Sequence, residues 1–376
     1  MQAEARGKMK LIRFAPNRVG RVYAGGAEID RLQGVEAPAD GGCPEEWIAS
    51  TVEAQGPRRP GEGVSRVLLP DGGSVPFDRL LGEEAEEILG PAHVARFGKA
   101  PGFLTKLLDS AIRLPVQAHP DRAAAKRLFG SEYGKTEAWI VISGRKIDGE
   151  EPYLLMGFNE SFDYEVFRRE ALAGVMERTV GMMHRCPVVP GEVYLITGGL
   201  PHAIGSGVFV QEIMEPTDYV VQPELHCGGT RLDERARWGG LDPEKALGVF
   251  HCEALPEAEA VVDPKQPDSS GVGTALAGVG VAFKLVCAME GDADKMLARY
   301  GDLVAVGTVA DVMPLLGENR FITRCGLQKI AAGDCRPGFL ALAEEAGVRD
   351  KPFTASTVGF SLAPRINAAG RLGEPS

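Results

Sequence analysis

Four side chains of the types that bind zinc lie in three short segments of the chain. Gln117 and His119 are two residues apart, so an extended backbone places both on the same face. Glu137 lies among apolar neighbours in the second segment, and His202 follows a turn between two strand-like runs. Zinc accepts nitrogen and oxygen donors, and in catalytic sites it keeps one position open for water or substrate. One amide oxygen, two imidazoles and one carboxylate therefore predict a zinc site.

The elements that must position these residues are short strands and separate helices. The runs GEVYLITGG and GVFVQEIM have β-type composition, whereas Asp121–Phe129 and Phe162–Met182 have apolar residues at helical spacing. Pro120 and Asp121 are typical of a helix start. Strands broken by Pro-Gly turns, with helices set apart from them, predict an α+β or mainly β domain up to about residue 250.

Composition excludes several classes of protein. The chain has 376 residues and a net charge of −11, which argues against binding nucleic acid or anionic membrane through bulk charge. Seven scattered cysteines, an odd number, fit a reducing cytoplasm better than a disulfide framework. No run of 18 apolar residues and no apolar signal segment is present. We expect a soluble cytoplasmic protein with no membrane partner.

The first two thirds of the chain, about residues 10–250, resembles the class I mannose-6-phosphate isomerases. The matching segments, in family order, are PEEWIAS, GFLTKLLD, QAHPD, GKTEAW and GLPHAIGSGVFVQEIMEPTDY. The resemblance implies a mainly β fold with α, namely a cupin-type β-barrel (double-stranded β-helix) with an added helical portion. It places one zinc ion per chain on Gln117, His119, Glu137 and His202, and it places the family's active-site lysines at Lys106 and Lys135.

The same resemblance implies an aldose–ketose isomerase that interconverts mannose 6-phosphate and fructose 6-phosphate, or a related sugar phosphate. A proton would move between C1 and C2 through an enediol-like state, zinc would stabilise charge on the sugar oxygens, and lysines would balance the phosphate dianion. The general base stays open among zinc-bound water, Lys135 and Glu212. The alternative interpretation is a cupin that binds metal without turnover.

Three positions depart from the family pattern. Gln222 stands where an arginine is common, Pro115 where a serine is usual, and Gly20 where a tryptophan is expected. A neutral amide replaces neither the charge nor the bidentate fork of a guanidinium. These departures predict a divergent subfamily with weakened or altered activity, and they leave the identity of the sugar open.

The remainder of the chain, from about residue 255, resembles the RecJ-type single-strand exonucleases of the DHH phosphoesterase family. The matching segments are LPEAEAVVDPKQPD, LAGVGVAFKL, DLVAVGTVADVMPLLGENR and GFSLAPRINAAGRLG. The resemblance makes Asp311 a metal ligand and places Arg365 and Arg371 in a nucleic-acid-handling region. The family's DxDxDG-like segment and its Asp-His-His motif do not occur in this chain. A two-metal site needs several converging ligands, so we expect no nuclease chemistry.

We therefore divide the chain into four parts. Residues 1–8 are predicted to be a loose extension, residues 9–250 the isomerase-like domain, residues 251–273 a junction, and residues 274–376 a truncated, mostly helical α/β fragment. We expect this fragment to derive from fusion or rearrangement and to be catalytically inert, with nucleic acid not expected as a partner. The alternative is that it is a nucleic-acid-binding or interaction module, related to the single-strand exonucleases.

Overall fold

A computed structural model describes residues 12–55, 59–69, 71–255, 276–290 and 292–369. The chain divides into two compact units, Met1–Val261 and Val262–Ser376. The predicted N-terminal extension, the greater part of the predicted junction and Arg371 lie outside the described residues.

The first unit alternates short strands with short helices. Its strands are β1 (Arg18–Val19), β2 (Glu45–Ile48), β3 (Arg66–Leu68), β4 (Ser74–Pro76), β5 (Leu104–Asp109), β6 (Glu137–Gly144), β7 (Tyr153–Phe158), β8 (Met183–Pro187), β9 (Val193–Ile196), β10 (His202–Ile204), β11 (Val208–Met214), β12 (His226–Cys227) and β13 (Thr230–Arg231). Its helices are α1 (Ala27–Leu32), α2 (Phe77–Leu89), α3 (Pro91–Phe97), α4 (Arg122–Phe129), α5 (Tyr164–Ala173), α6 (Glu177–Gly181), α7 (Glu234–Arg237) and α8 (Pro243–Leu247).

Two antiparallel sheets organise this unit. The larger has six strands in the order β1-β2-β5-β11-β6-β9, and the smaller has three in the order β10-β7-β8. One buried apolar cluster takes side chains from both sheets, among them Trp139, Tyr194 and Val210 from the larger and Leu154 and Ile204 from the smaller. The two sheets therefore face each other across a shared core, and the prediction of a mixed helix-and-sheet domain without a βαβ repeat is confirmed. Both sheets are open in the described residues.

The helix predictions for this unit are confirmed in one case and wrong in part in the other. Helix α4 follows Asp121, whose carboxylate accepts a hydrogen bond from the Ala124 amide at 2.6 Å, as an N-cap does. The region predicted as one helix, Phe162–Met182, forms the two helices α5 and α6 instead. The break occurs at Gly174, which has φ 76° and ends α5 in the left-handed conformation that glycine adopts readily.

Helices make up the second unit in the residues that the structure describes. They are α9 (Gly278–Glu290), α10 (Ala293–Ala310), α11 (Gly317–Ala331), α12 (Pro337–Glu345), α13 (Ala355–Thr357), a π-helical turn (Val358–Leu362) and α14 (Ala363–Ala369). Helix α9 lies within the apolar segment LAGVGVAFKLVCAMEG, and α12 lies within RPGFLALAEEAG. Helices α10 and α11 cross closely, because a Cβ atom on Gly326 would lie 2.1 Å from the carbonyl oxygen of Gly301. Among the described residues, no helix has both the length and the apolar character needed to span a bilayer.

Candidate metal centre

Three predicted ligands meet between the two sheets of the first unit. Glu137 begins β6 of the larger sheet, and His202 begins β10 of the smaller sheet. His119 follows Gln117, whose backbone forms a β-bridge with His202. One potential donor atom from each of His119, Glu137 and His202 lies within 4.8 Å of the others, and all three residues are at most 2% exposed. Residues far apart in the chain therefore converge on one buried point.

Backbone carbonyl groups fix the orientation of both imidazoles. The Nδ1 atom of His119 lies 2.9 Å from the carbonyl oxygen of Tyr219, and the Nδ1 atom of His202 lies 2.8 Å from that of Leu200. A carbonyl only accepts, so each Nδ1 carries the hydrogen and each Nε2 keeps its lone pair. Both Nε2 atoms face Glu137, at 3.4 Å from Oε2 and 3.7 Å from Oε1 respectively. This hydrogen-bonding pattern is typical of histidines that bind metal.

The converging lone pairs suit a cation. The Lys135 ammonium group lies 2.8 Å from the Nε2 atom of His119 and 2.8 Å from the Oε2 atom of Glu137. The side chains of Lys135 and Glu137 are therefore in contact. Two neutral imidazoles and one carboxylate form a donor set that fits a divalent transition metal such as zinc. The residues present therefore fit the predicted group.

Burial and local charge favour the protonation states that metal binding requires. Burial, with added repulsion from His119, lowers the pKa of His202 to about 3. Burial and the nearby Lys135 ammonium also lower the pKa of His119. Burial alone would raise the pKa of Glu137, but Lys135 and His119 hold it well below its ordinary value. At neutral pH, both imidazoles are neutral and Glu137 is ionised.

Gln117 and Gln222 lie at the edge of this cluster. The side-chain amide nitrogen of Gln117 is 3.3 Å from the Nε2 atom of His202, so the fourth predicted ligand lies next to the cluster. Ala118 and Val221 form an antiparallel bridge. Since side chains alternate along extended backbone, Gln117 and Gln222 both project from the opposite face of this bridge. The residue that departs from the family pattern therefore lies on the same face as a predicted ligand.

A second buried group of charges surrounds Lys106. Its ammonium lies 3.1 Å from Glu212 Oε1, 3.4 Å from Glu45 Oε2 and 3.9 Å from Asp218 Oδ1. Glu45, Lys106 and Glu212 come from β2, β5 and β11, which are neighbours in the larger sheet. Burial alone would lower the pKa of Lys106, but the three carboxylates, Glu212 foremost, raise it above its ordinary value. Lys106 is therefore a buried, permanently charged ammonium group.

Glu212 differs from the other carboxylates of the site. Its Oε2 atom accepts a hydrogen bond from the Trp139 indole at 3.2 Å, while its Oε1 atom has no hydrogen bond of good geometry. Burial and the negative charge of Glu137 raise the pKa of Glu212, although Lys106 and Lys135 oppose the shift. A buried carboxylate with a raised pKa, whose Oε1 atom contacts the Lys106 ammonium without a well-oriented hydrogen bond, has the properties of a proton carrier.

Removing the charge of Lys106 should destabilise the first unit strongly. Lys106→Met would remove a cation that is paired with three buried carboxylates. Removing one partner of a buried ion pair lowers the free energy of unfolding by about 3–5 kcal/mol, because the other charge stays buried without a partner. Tryptophan fluorescence during urea unfolding measures this, because all three tryptophans (Trp47, Trp139 and Trp238) lie in the first unit. The matched control is Lys126→Met, which removes an exposed pair with Glu132 and should cost at most about 1 kcal/mol. Equal unfolding midpoints for the two variants would contradict this account.

The sequence analysis assigned no role to several charged residues of this group. Arg21 lies 2.9 Å from Glu45 and 3.1 Å from Asp218, and the Tyr23 hydroxyl donates to Glu45 at 2.5 Å. Glu45 lies in the segment PEEWIAS, and Asp218 lies near the end of the segment GLPHAIGSGVFVQEIMEPTDY. Both segments carried the resemblance. Their acidic character within the matching segments was the available signal.

In the second unit, the residues implied by the RecJ resemblance do not form a metal cluster in the described part of the chain. Asp311 follows α10 as its C-cap and is exposed, and the single cluster of three or more metal-binding side chains found among the described residues is that of His119, Glu137 and His202. Arg365 lies exposed on α14, where its guanidinium donates to the Ser361 carbonyl.

A cavity of about 580 Å³ lies beside the metal cluster. Its wall includes Asp218, which contacts Lys106, and Tyr219, whose carbonyl positions His119. The wall also includes Arg235 and Gly239. The cavity has the size of a small-molecule site.

About two thirds of the chain shares its fold with a solved structure. A structure from Archaeoglobus fulgidus, described as a proposed mannosephosphate isomerase, superposes on 68% of this chain and 73% of its own with a TM-score of 0.51, at 24% sequence identity. No family model matches the chain.

Two kinds of curated relative match the sequence. The mannose-6-phosphate isomerase of Streptococcus mutans is 35% identical over 188 residues, which is 50% of this chain and 54% of the relative. The single-stranded-DNA-specific exonuclease RecJ of Dickeya dadantii is 46% identical over 136 residues, which is 33% of this chain and 24% of the relative. The chain thus spans about half of one relative and a quarter of the other. The prediction of a fusion between a part similar to mannose-6-phosphate isomerases and a part similar to RecJ is confirmed.

Proposed function

We propose that residues 9–250 form a cupin-type, zinc-dependent isomerase that interconverts mannose 6-phosphate and fructose 6-phosphate, or a related aldose and ketose phosphate. The observation that carries this proposal is the convergence of Gln117, His119, Glu137 and His202 between two facing sheets. The names of the sequence relatives and the cavity beside the cluster support it.

Gln117, His119, Glu137 and His202 would hold the metal, with the donor set of a catalytic zinc site. When bound, zinc supplies a Lewis acid that stabilises negative charge developing on the sugar oxygens. Lys135 orients Glu137 and His119 through its two hydrogen bonds.

Among the candidate bases of this chain, Glu212 fits proton transfer best. Lys135 is engaged by Glu137 and His119, so its ammonium group acts as a donor rather than a base. Glu212 is a buried carboxylate whose pKa is raised, and its Oε1 atom is paired with the Lys106 ammonium at 3.1 Å but makes no hydrogen bond of good geometry. We assign to this oxygen the transfer of the proton between C1 and C2. Lys106, held 3.1 Å away, keeps the ionised form of Glu212 accessible.

We propose further that residues 274–376 form a catalytically inert RecJ-like fragment, joined to the isomerase domain by residues 251–273. The fragment carries Asp311 but neither of the family's other ligand motifs. A single aspartate cannot hold two metal ions.

The seven cysteines are unpaired, in keeping with a reducing cytoplasm.

One set of assays on the purified full chain tests both proposals. We expect about one zinc per chain and isomerisation of mannose 6-phosphate that stops when a chelator removes the metal. We expect no degradation of single-stranded DNA with Mg²⁺ or Mn²⁺. Zinc binding without isomerisation of any aldose phosphate would favour the metal-binding cupin. DNA degradation abolished by Asp311→Ala would overturn the inert fragment.

A further inference from the structure

The two lysines of the site are already engaged. The Lys106 ammonium lies within 4 Å of three carboxylates, and Lys135 donates to Glu137 and His119. Both are at most 4% exposed. Neither is free to turn towards a phosphate group in the cavity without leaving buried carboxylates unpaired, which is costly. At position 222, on the site face, stands a neutral glutamine. A phosphate dianion therefore needs a cation from another part of the cavity wall.

Arg235 is the one lysine or arginine in the described lining of this cavity. It lies on α7, and two nearby arginines, Arg231 at the end of β13 and Arg237 on α7, both pair with Glu234. In the part of the chain that the structure describes, the Arg235 guanidinium has no carboxylate within 4 Å. Its charge is therefore available.

The carboxylates of the cavity wall are tied to other groups. Asp218 is paired with Arg21 and Lys106, and its Oδ2 atom accepts a hydrogen bond from the Gln55 amide at 2.7 Å. Asp233 caps α7 by accepting from the amides of Arg235 and Ala236 at 3.0 Å. Glu53 accepts from the Gly61 amide at 3.0 Å. These contacts reduce the repulsion that an anion would meet in the cavity.

We propose that Arg235 binds the phosphate group of the substrate and so selects phosphorylated over free sugars. This inference rests on the proposed isomerase function, and it assigns the phosphate end of the cavity to α7. The planar guanidinium suits two phosphate oxygens at once, whereas a lysine at this position would act as a point charge. The sugar carbons would then extend towards Tyr219 and Asp218, next to the metal cluster.

The test compares Arg235→Gln with Arg231→Gln, a nearby exposed arginine that does not line the cavity. We expect Arg235→Gln to raise KM for mannose 6-phosphate about tenfold or more and to weaken inhibition by inorganic phosphate to the same extent, with zinc content unchanged. Arg235→Lys should recover part of the loss. Arg231→Gln should match the natural chain. An unchanged KM and an unchanged inhibition constant in Arg235→Gln would overturn the proposal.

A failure of the isomerase proposal can be distinguished from a failure of the phosphate-binding proposal. If the natural chain does not isomerise mannose 6-phosphate, titration calorimetry of the zinc-loaded protein with this sugar phosphate still measures binding. Binding that is lost in Arg235→Gln and kept in Arg231→Gln would support the phosphate site without turnover. Equal binding by the natural chain and Arg235→Gln, or no binding to either, would overturn it.

Discussion

Replacing His202 by alanine should remove most of the bound zinc. His202 is one of the four proposed donors, and the contact of its Nδ1 atom with the Leu200 carbonyl turns its Nε2 atom towards the cluster. Loss of an outer-shell partner alone costs roughly 10–100-fold in metal affinity. Loss of a direct ligand should cost more. Metal analysis after dialysis should give about one zinc for the natural chain and much less for His202→Ala.

Fluorescence provides a second measurement on the same variants. The Trp139 indole lies 5.4 Å from the His202 ring, so zinc binding should change its emission during titration of the metal-free protein. His226→Ala is the matched control, because His226 is exposed on β12 of the same unit and outside the cluster. The urea midpoints of the metal-free proteins separate lost binding from lost folding. Full zinc content in a folded His202→Ala variant would contradict the ligand assignment.

Replacing Glu212 by glutamine should lower kcat by roughly 100–10,000-fold, the usual contribution of general acid–base catalysis. The amide keeps the size of the side chain but cannot accept the proton. Zinc content should stay near that of the natural chain, since Glu212 is outside the donor set. Steady-state isomerase kinetics with metal analysis of the same sample measures both quantities.

The pH profile distinguishes a proton carrier from a merely structural residue. Because the pKa of Glu212 is raised, the natural chain should lose activity on acidification at a higher pH than an ordinary glutamate would dictate. The residual activity of Glu212→Gln should lack this acidic limb. Glu46→Gln is the control, since burial also raises the pKa of Glu46 while its Oε1 atom accepts from the Asn17 amide away from the site. A full kcat in Glu212→Gln would assign the proton transfer elsewhere.

Local sequence patterns predicted four candidate donors, and the structure brings three of them, His119, Glu137 and His202, together. The spacing of Gln117 and His119, and the turn before His202, are properties of a few consecutive residues, and the structure retains both. The helix at Asp121–Phe129 was equally predictable, because its cap lies within the same segment. The single helix predicted over Phe162–Met182 was wrong because Gly174 adopts a left-handed conformation, which apolar periodicity does not reveal.

The surroundings of Lys106 could not be predicted in the same way. Glu45 and Glu212 reach Lys106 only because β2, β5 and β11 are neighbours in the sheet. No local sequence pattern determines this strand order. The three arginines at positions 231, 235 and 237 are equivalent by residue type. In the structure, Arg231 and Arg237 pair with Glu234, whereas Arg235 lines the cavity. Both distinctions depend on the tertiary structure.

The strand order of the larger sheet also has a kinetic consequence. Glu45 and Lys106 are separated by 61 residues along the chain, Gln117 and His202 by 85, and Arg21 and Asp218 by 197. Closing such long loops lowers the entropy of the chain before any stabilising contact has formed. Pairing between residues distant in the sequence therefore slows folding. The binding centre therefore cannot form before the segment that carries His202 and Glu212 has been synthesised, and it is complete only after β11 has paired between β5 and β6. High-affinity zinc uptake should accordingly mark the last steps of folding rather than the first.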